Sequence, residues 1–381
     1  MLRGSRSRAR IAILLAIGAL VPVVSAPPAH AAGASFVGPL VSNAESGTTS
    51  WGRDGGMTVP LPNGRDLWIF GDTPRYQWVG GKWKLNAFIY GSSAGLVPYT
   101  RGHAPGKAFN EIVVGHSTRS SNQPHQFLPT PRLYMPNGSG KACNTKNGGP
   151  TTGADRWATG GVLLPDKRHV LIPYLGVCVI SASNYRVESW GFVLYDWRTN
   201  KFSSGPYDVF PASKKGTALP GYAQFRSPVL DSGKVAFFAS FGTKVYTVSV
   251  SPSVSALRNR SSYSKSKAIS GLKPSLVWSI VGKSKTQNHL TMYQMKDTKG
   301  HYTLLKAPRP SGPWSKLGSG TLPRCSNAPG KCNSFALHPE MSTSSRMLVS
   351  YYLPGFGPGL PKKHPYPHAP LGHVVTAWLP A

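Results

Sequence analysis

The chain has 381 residues, with 43 Lys and Arg against 13 Asp and Glu, a formal charge of +30. Such a charge favours polyanions or an anionic envelope surface. However, the basic residues are spread thinly, as in Tyr263-Ser-Lys-Ser-Lys267, and no nucleic-acid-binding motif accompanies them, so no specific nucleic acid is expected. Gly (42) and Pro (35) are abundant and helix-period apolar runs are scarce, which argues against bundles and α/β folds and for an all-β protein. A dinucleotide fingerprint and a phosphate-binding loop are both missing, and no cofactor is expected.

The N-terminus carries Arg3, Arg6, Arg8 and Arg10, then the apolar run Ile11 to Val24, then Ala29-His30-Ala31. This is the pattern of a signal peptide over residues 1–31, and it predicts a secreted, extracellular or cell-wall-associated protein. The apolar run falls short of a bilayer span, so no transmembrane segment is expected after its removal. In an exported chain the four cysteines read as two disulfides rather than a metal site. Cys325 and Cys332 are close enough to staple a local loop, which leaves Cys143 with Cys178.

From residue 36 to 381 a single domain is expected, built on an internal repeat whose loops vary in length. The first unit is Gly55 to Leu61 followed by Asp66 to Phe70, with Asn86 to Val97 as a third strand. The second runs Trp157 to Pro165, His169 to Tyr174 and Glu188 to Trp197; its Gly160-Gly161 echoes Gly55-Gly56. The third is Phe225 to Leu230, Lys234 to Ala239 and Lys244 to Val250; the fourth is Ser275 to Ile280, His289 to Gln294 and Tyr302 to Leu305. The fifth is Phe335 to Met341, Met347 to Tyr352 and His373 to Trp378. Five such units predict a five-bladed β-propeller. The strand Phe36 to Val41 has no hairpin partner and is expected to join the last blade, closing the ring and removing an edge. Trp68, Trp190, Trp197, Trp278 and Trp378 read as core, and Asp196, Asp208, Asp231 and Asp297 as turn residues.

The chemistry is expected at one end of the first hairpin. Asp54 precedes its first strand and Asp72 follows its second, so both carboxylates fall at the same sheet end. Placing the repeats in register brings Arg53, Asp155, Arg156, Arg226, His338 and Glu340 to the same channel mouth, with Trp51 and Trp157 at its rim. Acids for the chemistry, indole faces for ring stacking and guanidinium groups for hydroxyls or phosphates suit a sugar substrate. Glycosidic cleavage needs one carboxyl group as acid and a second as base or nucleophile.

At Trp51-Gly-Arg-Asp-Gly-Gly, Leu67 to Thr73, Trp157-Ala-Thr-Gly-Gly161 and Phe335 to Met341 the chain resembles a secreted five-bladed propeller family, formerly a domain of unknown function, that includes endo-D-arabinanases. The resemblance runs from about residue 36 to the C-terminus. It implies a glycoside hydrolase in which Asp54 and Asp72 are catalytic, with Asp155 and Glu340 as neighbours that tune or bind. The basicity departs from what an uncharged arabinan requires and points to an anionic cell-envelope glycan. The competing expectation is a non-catalytic carbohydrate- or envelope-binding propeller using the same mouth. A monomer is expected in either case.

Overall fold

The computed structural model describes residues 33–40, 42, 46, 48–105, 109–115, 120–121, 123–129, 155–181, 184–211, 226–241, 243–264, 267–272, 277–281, 288–328, 332–354 and 372–380. The segment read as a signal peptide lies outside them, as do Cys143 and the side chains of Cys178 and Trp278.

Nearly all of the regular structure is strand; the exceptions among the described residues are the short helical turns Val254–Arg258 and Arg260–Ser262. The first main sheet orders Gly55–Pro60, Arg65–Phe70, Ser93–Pro98, Asn110–Ile112 and Ser120–Ser121. In the second, Asp155–Ala158 and Val162–Leu163 both pair with His169–Ser181, followed by Asn184–Asp196 and Lys201–Pro211. The third holds Arg226–Asp231, Lys234–Phe241, Lys244–Val250 and Lys267–Ala268; the fourth holds Val277–Val281, Leu290–Met295, His301–Ala307 and Ser315–Thr321. The fifth runs Asn333–His338, Arg346–Leu353, His373–Pro380 and then Ser35–Pro39, the N-terminal strand, which pairs antiparallel with His373–Pro380.

Each sheet is apolar on both faces because each packs between two others, so Leu67-Trp68-Ile69-Phe70 is buried without alternation. Five core clusters fill the junctions in turn. Val59 and Ile69 meet Val170 and Tyr195 between the first and second sheets. Trp190 and Phe210 meet Phe237 between the second and third. Phe238 meets Met292 between the third and fourth. Tyr293 meets Phe335 and Tyr351 between the fourth and fifth. Trp68 and Phe70 meet Leu348 and Trp378 between the first and fifth. The first strands of the sheets neighbour one another in the same cyclic order.

Gly160 and Gly161 mark where the second sheet touches the first strands of its neighbours. A Cβ on Gly161 would stand 2.5 Å from Val59 Cγ2, and one on Gly160 would stand 2.4 Å from Pro228 Cδ. A side chain at either position would push neighbouring sheets apart.

The first unit departs from expectation. Asn86 to Val97 is not one strand. Thr73–Val79 and Lys82–Ile89 form a hairpin that pairs with Thr49–Trp51 as a separate three-stranded sheet, and Ser93–Pro98 then returns to the first main sheet. Gly80 and Gly81, at φ 60° and 76°, make the two-residue turn. Asp208 is not a turn residue either: it lies within the strand Lys201–Pro211, where it accepts from Tyr174 Oη at 3.0 Å and Ser189 Oγ at 2.9 Å. The Cys325–Cys332 disulfide is present, with both residues buried.

Candidate active site

The end of the first hairpin is closed by two backbone bonds. Asp54 N donates to Asp72 O at 3.0 Å, and Gly71 N donates to Asp54 O at 2.5 Å. The two acids therefore flank one pair of strand ends, as their positions in the sequence predict. Asp54 is half-buried, and its Oδ1 accepts from Gly55 N at 2.9 Å and from the hydroxyl of Ser334 on the fifth sheet. Burial raises its pKa, while these two donors oppose the rise. Asp72 Oδ1 accepts from Gly91 N at 2.8 Å. Its carboxyl is pushed up to about 7, first by burial and then by the charges of Asp54 and Asp155, while the bond from the Gly91 amide opposes the rise. Asp155 opens the first strand of the second sheet and is fully buried. Asp54, Asp72 and Asp155 thus lie within electrostatic reach of one another around Asp72.

A recurring backbone device aims these groups. The first strands of three sheets open with a bulge beside a residue in the left-handed region: Gly55 at φ 80°, Ser227 at φ 49° and Ser334 at φ 52°. Bulges of this kind redirect side chains at strand entries. Asp54, Arg226 and Asn333 precede them and so occupy equivalent positions. In the second sheet that position is Thr159, before Gly160, and its carbonyl accepts from Ser227 N at 3.0 Å.

Several residues expected at the mouth are elsewhere. Arg53 is buried: its guanidinium pairs with Glu111 and lies 4.3 Å over the Phe70 ring and 5.3 Å from that of Phe109. It is a packing residue: its charge is neutralised by Glu111 and its guanidinium plane is enclosed by the two aromatic rings. Trp51 is buried as well, with Arg75 Cζ 5.6 Å from its ring, and presents no open indole face. Arg156 donates to Pro129 O and lies 3.6 Å from Asp208 and 5.2 Å from the Tyr174 ring, on the opposite strand face from Asp155. Arg226 stands half-buried at the position equivalent to Asp54.

His338 ends the first strand of the fifth sheet and Glu340 lies in the turn after it, because the position equivalent to Asp54 in that sheet is Asn333. Thr58 Oγ1 is 2.8 Å from His338 Nδ1 and donates to Glu340 Oε1 at 2.9 Å; His338 Nε2 is 2.8 Å from Ser350 Oγ. Burial holds His338 down to about 3, and the 3.9 Å to Glu340 is too long for a bond. Glu340 lies instead within electrostatic reach of Asp66, a fully buried acid that the sequence presents only as the start of a strand. Burial and then the Glu340 charge raise the Asp66 carboxyl, and burial raises that of Glu340.

Gly91-Ser92-Ser93-Ala94-Gly95 has the spacing of a nucleophile elbow. Ser93 nevertheless begins a strand, is buried and lies 2.8 Å from Thr73 Oγ1, with no helix after it. It is structural. Among the described residues no three His, Cys, Asp or Glu side chains are grouped as metal ligands.

The fold is similar to that of a protein from Bacteroides ovatus designated a hydrolase, at 14% identity over 87% of this chain and 86% of that one, with a TM-score of 0.52. A family 117 glycoside hydrolase from Zobellia galactanivorans is similar at 12% identity, covering 91% of this chain and 90% of that one, with a TM-score of 0.46. An alpha-L-arabinanase from Penicillium chrysogenum, complexed with arabinobiose, is similar at 11% identity, covering 92% and 98%, with a TM-score of 0.39. No protein-family model matches the sequence, and no curated protein matches it. The likeness is one of fold alone: the regular structure of the described residues is almost entirely β.

Proposed function

We propose that this protein is an exported, monomeric glycoside hydrolase on a five-bladed β-propeller, cleaving a cell-wall or extracellular polysaccharide. Five sheets, five core junctions in cyclic order and the pairing of Ser35–Pro39 with His373–Pro380 support the five-bladed, closed-ring reading. The basic N-terminus followed by an apolar run supports export.

The observation that carries the function is the Asp72 carboxyl, raised to about 7 beside Asp54 and Asp155 at one strand end. A carboxyl group that keeps its proton near neutrality is suited to protonate a leaving glycosidic oxygen. Asp54, whose carboxylate is held by the Gly55 amide and the Ser334 hydroxyl, takes the role of base or nucleophile. Asp155 keeps the Asp72 proton in place by repulsion. The chemistry needs only these side chains and water.

Incubation with a panel of wall polysaccharides, followed by analysis of released products, tests this. Wild type is expected to release oligosaccharides, and Asp54→Asn and Asp72→Asn are each expected to lose about 10²- to 10⁴-fold in rate. Full activity in both variants overturns the assignment. Binding without cleavage by the wild type favours a carbohydrate-binding propeller instead.

A further inference from the structure

Asp72 takes a hydrogen bond from a backbone amide, a donor that can be aimed only by the turn that carries it. Gly91 N donates to Asp72 Oδ1 at 2.8 Å, and Gly91 has φ 82°. Ser92 N donates back to Tyr90 O at 3.0 Å, so residues 90–92 form a γ-turn with a positive central φ. This hand of γ-turn is rare and strained even when glycine at its centre removes the Cβ clash. Such a turn persists only where its surroundings hold it.

Residues 126–129 supply that hold. Phe127 N donates to Ser92 O and Leu128 N donates to Ser92 Oγ, both at 2.9 Å. Gln126 Nε2 donates to Tyr90 O at 3.2 Å, and Gln126 forms a bridge with Ser93. Ser92 is fully buried, and both its carbonyl and its hydroxyl oxygen accept from this one segment. The segment is anchored in turn to the second sheet. Phe127 and Leu128 are buried, the Phe127 ring stands 5.2 Å from that of Tyr195 and 5.6 Å from that of Phe202, and Pro129 O accepts from Arg156. Arg156 was expected at the mouth as a substrate-binding group; here it supports the segment that grips the turn.

We infer that Ser92 is a positioning residue for the candidate acid: held at its carbonyl and hydroxyl by the Phe127 and Leu128 amides, it keeps the 90–92 turn closed and the Gly91 N–H aimed at the Asp72 carboxyl. The assignment rests on the reading of Asp72 as the acid of a glycan-cleaving site and adds the residue that fixes its donor. When Asp72 gives up its proton, the carboxylate left behind accepts the Gly91 N–H, and a donor already in place needs no rearrangement at that moment. Opening the turn removes the donor. The proton is then held more firmly, because burial and the charges of Asp54 and Asp155 act with less opposition.

The test follows the Asp72 carboxyl directly, by NMR of protein labelled at the aspartate carboxyl carbons and titrated between pH 4 and 9. The signal lost in Asp72→Asn assigns it. Ser92→Ala is expected to move the Asp72 midpoint upward and to speed exchange of the Gly91 amide several-fold. Ser92→Cys, close in size but a weak acceptor, is expected to act in the same direction. Ser342→Ala is the control: Ser342 Oγ likewise accepts from a backbone amide, that of Leu348 at 2.9 Å, but beside the fifth sheet. It is expected to lower the melting temperature and leave Asp72 unmoved. If Ser92→Ala does not fold, Ser92→Cys decides. The assignment is overturned if the Asp72 midpoint stays in place or moves downward in a folded Ser92 variant, or if Ser342→Ala moves it as far. A wild-type midpoint in the ordinary carboxylate range, with the Ser92 shift intact, sinks the acid reading alone. A midpoint near 7 that ignores Ser92 sinks the positioning role alone.

Discussion

The hydroxyl of Ser334 donates to Oδ1 of Asp54, joining the first strand of the fifth sheet to that of the first across 280 residues of sequence. The contact exists because Ser334 is held at φ 52°, a left-handed conformation that costs an ordinary residue roughly 1–3 kcal/mol and is retained where the surrounding structure enforces it. Here it turns a hydroxyl onto a carboxylate that burial would otherwise push towards its neutral form.

Removing that hydroxyl is expected to raise the pKa of Asp54, since its donation favours the ionised group. The acidic limb of the pH profile of kcat/KM, which reports a carboxylate that must be ionised, then moves to higher pH. Ser334→Gly relieves the left-handed backbone and Ser334→Ala does not. Equal shifts in both variants assign the effect to the hydroxyl. An unmoved limb in both removes Ser334 from the site.

Asp155→Asn acts on the other carboxyl and in the opposite direction. Asp155 raises the pKa of Asp72 by repulsion, so neutralising it lowers that pKa from about 7. Asp72 must be protonated to act as acid. The basic limb of the profile therefore moves to lower pH, and activity at pH 8 falls more than activity at pH 5. A basic limb that stays in place or moves upward contradicts the coupling.

Much of this arrangement is legible in the sequence, and the failures have one origin. The five units and the Asp54–Asp72 pair follow from strand periodicity and hairpin geometry, which act locally. The depth of each residue along its first strand depends on bulges at Gly55, Ser227 and Ser334, and two of these lie at serines that carry no left-handed signal. Without them the repeats align a few residues out of step, which sends His338 and Glu340 to the mouth when they lie beside Thr58. Asp66 was missed because an acid opening a strand reads as a turn residue until its buried partner, Glu340, is known. The Thr73–Ile89 hairpin did carry a signal: Gly80-Gly81 between Trp-Val and Lys-Trp is a turn between alternating strands.

The buried Asp66–Glu340 pair and His338 are expected to shape stability against pH. Both carboxyls have folded pKa values above their unfolded ones, so their contribution is fully present below the ordinary carboxylate range and is lost as pH rises through neutrality. His338 is lowered to about 3, so its contribution is present above about pH 6.5 and is lost as pH falls towards 3. Thermal unfolding between pH 5 and 9 is expected to show wild type losing stability on the alkaline side. The double variant Asp66→Asn with Glu340→Gln should lose less over the same range. Parallel curves for the two proteins would show that the pair is not protonated in the fold.

Gly161→Ala probes the junction between the first and second sheets. Its new Cβ would stand 2.5 Å from Val59 Cγ2 and 3.4 Å from Ile69 Cδ1, so the two sheets must separate or Val59 must leave its rotamer. Overpacking of this kind costs ~1–3 kcal/mol, measurable as a lower melting temperature. Shortening the opposing side chain makes room, so Val59→Ala combined with Gly161→Ala is expected to cost less than the two single changes added together. Gly318→Ala is the control: nothing lies within 4 Å of its Cβ, and it is expected to leave the melting temperature close to that of wild type. If Gly161→Ala is equally neutral, the first strands are not packed backbone to side chain at that point, and the close approach inferred from Gly160 and Gly161 is wrong.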